Sequence, residues 1–460
     1  MRRVGQILAV ITMLTILCMN IEITALATEP SAENVQEELT EAEIAEKEAE
    51  NAAYEMTVES NDWANWPLGP GTYGEAAIIM EAGTGAILYE KNIDSQQYPA
   101  SITKVLTALV ALENGQLMDT VTFSHDSVAF LQPGDSSVGL KEGNQISLEQ
   151  GLYATLLASA NEAAYAVGES VGINAGYDYH WFLEQMNTRC RELGGENSNF
   201  VNTNGLHDSN HYTCARDMAL IGREIFKHPE FFTIVQTQEY TIPASETTEE
   251  HVFQQKHKML RPDNSNYYEY AVGGKTGYTS DALSTLITMA DNGDMKLICV
   301  VLRTHGNNMY QDTRNLFDYV YSNFHKIVIA DYEDSEDVEE IVADENSGYV
   351  VLPDGIAFED LEMTIIPDDG IGRDATLEYR YEDNLLGMAR ATVSQTYIDK
   401  HSAQVKSVEK DNETDIKDSD TEKIKKIILI CACVLLIILI AAFINLLIRR
   451  KRRCRKRKNS

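Results

Sequence analysis

Tyr98-Pro99-Ala100-Ser101-Ile102-Thr103-Lys104 leads into a run, Ile102 to Leu112, that is apolar nearly all round. A helix with apolar residues on every side is a buried one. The spacing therefore predicts a buried helix from Ser101 to about Glu113, ended by Asn114-Gly115. Serine and lysine three residues apart on such a helix face the same way. Ser101 then sits in the first turn, near the positive end of the helix dipole, with Lys104 one turn behind it. A serine hydroxyl is a weak nucleophile without a neighbouring base. A lysine can be that base only where burial or a second cation lowers its pKa. Alone the pattern says little, because Ser407-Val408-Glu409-Lys410 repeats it in a charged stretch.

Two later motifs give it weight. Ser159-Ala160-Asn161 falls between two short helices predicted over Ser147 to Val171, where Ser159 can relay a proton and Asn161 can bond a substrate amide. Gly273-Gly274-Lys275-Thr276-Gly277-Tyr278 suits a strand edge facing a ligand. Glycines let another backbone approach, while Lys275 and Thr276 can hold a carboxylate. Lys275 is also the second cation that Lys104 requires. In this order the three motifs read as a serine acyl-transfer site with a lysine base.

The surrounding pattern is α+β. Ala76–Met80 and Ala86–Tyr89 flank Glu81-Ala82-Gly83-Thr84-Gly85 as a hairpin, and Ala282–Ala290 and Met295–Arg303 flank Asp291-Asn292-Gly293-Asp294 as another. Between them the segments Phe182–Leu193 and Thr213–Phe226 are amphipathic helices, so an antiparallel sheet carries an inserted helical block. Residues 61–328 form this catalytic domain. Residues 329–398 then alternate in short runs between Pro, Asp and Gly turns, the pattern of a small all-β domain.

The ends of the chain read differently. Residues 1–27 carry Arg2, Arg3, an apolar run and Ala25-Leu26-Ala27, the order of a secretory signal peptide. Residues 28–60 hold eleven glutamates and read as a disordered or loosely helical acidic spacer. A charged linker over 399–422 precedes 427–448, whose length of about 33 Å as a helix suits a transmembrane span. Nine of the ten residues Arg449 to Lys458 are basic, so the positive-inside rule leaves the tail 449–460 in the cytoplasm and the catalytic domain outside.

The 460-residue chain has a formal charge of -33, and residues 28–422 alone carry 24 basic against 70 acidic residues. Such a surface repels nucleic acid. Of seven cysteines only Cys190, Cys214 and Cys299 lie in that part, and neither they nor the histidines show metal-ligand spacing. A Cys190–Cys214 disulfide is possible without being required. No metal or cofactor is expected.

The residues quoted, together with Gly139-Leu140-Lys141-Glu142-Gly143, Asn204-Gly205-Leu206, His211-Tyr212, Ala215-Arg216-Asp217-Met218 and Thr279, resemble the serine-type D-Ala-D-Ala carboxypeptidases. These are the low-molecular-mass penicillin-binding proteins, and the likeness covers about residues 74–325. The resemblance implies a β-lactamase/penicillin-binding-protein-like fold and removal of the terminal D-Ala from peptidoglycan stem peptides, with β-lactams as inhibitors at the outer face of the cell membrane. It makes Ser101 the acylated nucleophile, Lys104 the base, and Ser159 and Asn161 the second motif. Lys275 and Thr276 would bind the terminal carboxylate. The backbone N–H groups of Ser101 and Tyr278, beside Gly277, would form the oxyanion hole. This chain departs from the family at Glu162, where aspartate is common, and at Met309, where an arginine often assists carboxylate binding; Arg303 or Arg314 are the candidates to replace it. The same motifs also fit a β-lactamase, a peptidoglycan endopeptidase or an inactive wall-binding scaffold.

Overall fold

A computed structural model of the chain describes residues 40–342, 347–368 and 372–401. The signal peptide, most of the linker, the apolar run 427–448 and the basic tail lie outside the described residues. The described residues divide into two compact units, one ending at Glu55 and the other starting at Met56.

In the first unit, helix α1 (Glu41–Tyr54) occupies part of the acidic spacer. Thr40 and Glu43 form a reciprocal capping box at its start. Alanine and glutamate favour helix, and the capping box satisfies two of the first free N–H groups.

The second unit holds a five-stranded antiparallel sheet in the order β2-β1-β9-β8-β7. Its strands are β1 (Ala76–Glu81), β2 (Ile87–Lys91), β7 (Ala271–Thr279), β8 (Leu283–Asp291) and β9 (Lys296–Thr304), while β3 (Thr120–Thr122) with β4 (Gln145–Ser147) and β5 (Glu239–Ile242) with β6 (His251–Gln254) form two small two-stranded sheets. Both predicted hairpins are present, and β9 pairs with β1 to join the two ends of the domain. Side chains on a strand alternate between faces. Ile78, Met80, Ile298 and Val300 therefore point into a core shared with the helical block. Ala77, Ile79, Leu297, Cys299 and Val301 point into a second core, with Leu316, Phe317 and Val320 of the helix Asn308–Asn323. This double covering explains why β1 is buried along its whole length.

The inserted block contains α2 (Thr103–Asn114), α3 (His125–Ala129), α4 (Leu148–Leu156), α5 (Asn161–Asn174), α6 (Tyr179–Glu192), α7 (Ala215–Ile225) and α8 (Pro229–Gln236); α9 (Asn308–Asn323) follows β9. The sequence reading missed α3 and α8, which are short. It also started α2 two residues early. Ser101 lies in a separate 3-10 turn, Ala100–Ile102, because Ala100 takes a left-handed φ of 49° that an α-helix cannot continue through. Cys190, Cys214 and Cys299 are buried free thiols, so Cys190 and Cys214 are not paired.

A second sheet follows α9: β10 (Phe324–Val328), β12 (Tyr349–Pro353), β15 (Asn384–Val393), β14 (Asp374–Tyr381) and β13 (Glu362–Pro367) lie in that order, with β11 (Val338–Val342) also paired to β15. This sheet is tied to the first one. Val350, Val351 and Leu352 share its second core, Tyr349 OH donates to Glu81 Oε1 at 3.0 Å, and Asn384 Nδ2 donates to Ile87 O at 2.8 Å.

Candidate active site

The chain reverses sharply before α2, and the reversal is held from three sides. Thr103 Oγ1 donates to Ala100 O at 2.8 Å, and Thr285 Oγ1 on β8 donates to Pro99 O at 2.8 Å. His211 Nδ1 accepts from Val201 N–H, so its other nitrogen carries the proton and donates to Thr103 Oγ1 at 2.9 Å. Burial pushes His211 down to about 3, which keeps it neutral in this role. Non-glycine residues at positive φ cost free energy and persist where surroundings over-determine them. Ala100 and Ser159, at φ 49° and 62°, are two such positions; Ser159 lines a cavity, and Ala100 precedes Ser101, which lines the same cavity.

Ser101, Ser159, Asn161, Thr276, Gly277 and Tyr278 line one cavity of about 660 Å³. Lys104 and Lys275 lie just behind its wall, both buried. Lys104 Nζ is 2.9 Å from Ser101 Oγ, 2.8 Å from Asn161 Oδ1 and 2.6 Å from Asn204 O. A neutral amine has two N–H donors and one lone pair. Asn161 Oδ1 and Asn204 O occupy the donors, which leaves the lone pair for the Ser101 hydroxyl. Burial holds Lys104 well below the usual lysine range, and the neighbouring Lys275 and Lys256 charges add to this, opposed by Glu162 and Asp135. All requirements of a lysine base are thus met at one atom.

Lys275 extends from β7, the edge strand, and donates to Thr276 O at 2.7 Å. Burial, with Lys256 next, pushes it down to about 7. Gly277 brings β7 against the serine turn: a Cβ there would stand 2.9 Å from Ser101 N and 3.0 Å from Pro99 O. No side chain is tolerated at such a distance, which is why the motif carries glycine. Tyr278, the next residue, is 69 % exposed at the cavity rim.

Met309 does line the cavity, but neither arginine takes its place. Arg303 donates to Glu75 Oε1 and Asp281 O. Arg314 donates to Asn266 O and Tyr267 O and lies over the Tyr268 ring. The cations that line the cavity are Lys256 and Lys258, the latter donating to Asn307 Oδ1 at 2.8 Å. The sequence reading gave no role to these lysines or to the supports Thr103, Asn204, His211 and Thr285, although Thr103, Asn204 and His211 stand inside quoted motifs. Lys256 and Lys258 belong to no pattern, since their relevance comes from the chain crossing the cavity.

A serine hydrogen-bonded to a buried lysine of lowered pKa, in an open cavity with a second lysine on the neighbouring strand edge, is an arrangement that can carry out serine acyl transfer. A family model described as D-alanyl-D-alanine carboxypeptidase matches residues 68–306, and the chain belongs to that family. It is 30% identical over 257 residues to the D-alanyl-D-alanine carboxypeptidase DacF of Bacillus subtilis, covering 54% of this chain and 62% of that protein. It is 32% identical to DacC of Escherichia coli, over 54% of this chain and 59% of that one. The chain thus matches about six-tenths of the length of these curated relatives. Among solved structures, the Streptomyces K15 DD-transpeptidase superposes with a TM-score of 0.51 at 27% identity, over 56% of this chain and all of that one (100%).

Proposed function

We propose that the protein is a penicillin-sensitive serine D-alanyl-D-alanine carboxypeptidase acting on peptidoglycan stem peptides. The observation that carries this reading is the 2.9 Å approach of the buried Lys104 amine to Ser101 Oγ beside the cavity. Lys104 takes the Ser101 proton as Oγ attacks the carbonyl carbon of the penultimate D-Ala. A positioned base of this kind contributes on the order of 10²–10⁴ in rate. The carbonyl oxygen becomes an oxyanion held by the backbone N–H groups of Ser101 and Tyr278, worth about 10²–10³ per donor. Ser159 relays the proton to the departing amine, and D-Ala leaves. Asn161 orients the substrate amide and the Lys104 amine together. Lys275 and Thr276 face the terminal carboxylate. Water then attacks the ester carbonyl, Lys104 again removing a proton, and the shortened peptide is released with Ser101 restored. An amine acceptor in place of water would make the same acyl-enzyme a transpeptidase, the activity named for the Streptomyces relative.

The test is fluorescent-penicillin labelling followed by mass spectrometry and an assay of released D-Ala. The expected adduct is on Ser101, and Ser101→Ala is expected to abolish both labelling and release. An adduct on another residue would sink the assignment.

The reading places the enzyme on the outer face of the cell membrane, exported by residues 1–27 and anchored by 427–448. The apolar length of that run and the nine basic residues after it support this topology. Among the described residues no helix is long and apolar enough to cross a membrane, and 427–448 lies outside them. Protease added to intact cells is expected to release a penicillin-binding fragment lacking Arg449–Lys458. A released fragment that carried the basic tail would reverse the orientation.

A further inference from the structure

Glu162 follows Asn161 on α5 and is fully buried. Its Oε1 accepts from Ser137 Oγ at 2.6 Å, Val138 N at 2.8 Å and Gly139 N at 3.1 Å. Asn161 N donates to Ser136 O at 2.8 Å. The first two residues of α5 therefore tie down the segment 136–139, which continues Gly134, Asp135 and Ser136 of the cavity wall. The second oxygen, Oε2, is equally buried and has no hydrogen-bond partner among the described residues. A buried carboxylate is costly unless donors or cations compensate it. The three donors account for Oε1, and the basic groups that interact electrostatically with Glu162 are Lys256 and, when protonated, Lys104.

We propose that Glu162 is a positioning residue for the acyl transfer, clamping the 136–139 wall through Oε1 and offsetting the cations that surround Lys104. The proposal rests on the acyl-transfer reading above. The groups that face Lys104 come from several elements: Lys275 on β7, Lys256 just after the strand His251–Gln254, Asp135 in the wall, His211 before α7, and Glu162 on α5. His211 is neutral, so two carboxylates oppose two lysines, and Glu162 is the larger of the two opposing contributions. Removing it leaves the lysines unopposed on that side, which makes Lys104 give up its proton more readily.

Glu162→Gln removes the charge and keeps an acceptor at Oε1 for Ser137, Val138 and Gly139, at the cost of amide N–H donors where Oε2 has no partner among the described residues. Glu162→Asp keeps the charge and draws the carboxylate back from the wall. With the full-length chain, penicillin acylation rates are measured from about pH 5 to 9, alongside KM for a D-Ala-D-Ala peptide. Glu162→Gln is expected to move the rising limb of acylation by about one unit toward acid, giving roughly tenfold faster acylation on that limb, with KM little changed. Glu162→Asp is expected to leave the limb in place and raise KM several-fold. A wild-type limb in Glu162→Gln, or a wild-type KM in Glu162→Asp, overturns the corresponding duty. If Glu162→Asp does not fold, Ser137→Ala loosens the same wall, and an unchanged KM overturns the clamp. A wild-type chain that penicillin never acylates would instead remove the acyl-transfer reading itself.

Discussion

Gly205 stands so close to Ala100 that a Cβ on it would lie 1.9 Å from Ala100 O and 3.0 Å from Ser101 N. Its φ of 81° is also one that side chains rarely adopt. Gly205 thus backs the strained turn that presents the nucleophile. Gly205→Ala is expected to displace Ser101 by a substantial fraction of an ångström and slow acylation by about 10²-fold, since a misplacement near 1 Å has that cost. Stopped-flow acylation with a fluorescent penicillin checks this, and near wild-type rates would show that the turn does not depend on Gly205.

Lys104→Arg is expected to be inactive. A guanidinium stays protonated, so it offers no lone pair to the Ser101 hydroxyl. It is also larger than the buried amine it replaces. Lys275→Arg preserves the charge that faces the substrate carboxylate and is expected to keep a measurable fraction of activity. Comparing the two acylation rates separates proton transfer from charge recognition. A Lys104→Arg protein acylating near the wild-type rate would contradict the lysine-base mechanism.

The two lysines also give kcat/KM a definite pH profile. Lys104 works as the free amine and is held well below the usual lysine range, so the profile rises with pH until that amine is deprotonated. Lys275 works as the cation and is pushed down to about 7, so kcat/KM for a peptide with a free carboxylate is expected to fall above that pH. A bound carboxylate favours the charged form of Lys275. The falling limb is therefore expected at higher pH in kcat than in kcat/KM. A kcat/KM that stays flat through pH 7 to about 9 would contradict the charge-recognition role of Lys275.

Tyr349→Phe removes the hydrogen bond to Glu81 Oε1 between the two sheets. Glu81 is buried, and its other oxygen serves Thr84 N and Oγ1. The lost bond to a buried carboxylate is expected to cost about 1–3 kcal/mol. Thermal unfolding should fall by a few degrees while acylation, more remote from this contact, is unchanged. Equal loss of activity would show that the second sheet supports the site.

Much of the architecture was legible because periodicity survives translation into sequence. The β1–β2 and β8–β9 hairpins have turn residues between apolar runs, and α2 is apolar on every face because it lies inside the core. The three motifs were legible because their chemistry needs particular side chains. The start of α2 was not, since no local propensity encodes the left-handed Ala100; contacts from Gly205, Thr103 and Thr285 impose it. Strands β10 and β11 were missed because their neighbours in the sheet are distant in sequence.

The sequence by itself determined the reactive groups: a serine and lysine one turn apart, a polar pair on the inserted block, and a lysine on a glycine-rich strand. Only the tertiary structure decided what those groups are chemically. Lys104 and Lys275 are ordinary lysines in a list of residues, and their altered acidity exists only because folding strips water from both and brings them into range of each other, of Lys256 and of Glu162. The same holds for the missing arginine. Arg303 and Arg314 were candidates by position in the chain, yet their partners hold both away from the cavity, and Lys256 and Lys258 line it instead. Spacing sets which side chains are available, whereas desolvation and the summed field of distant charges set what each of them can do.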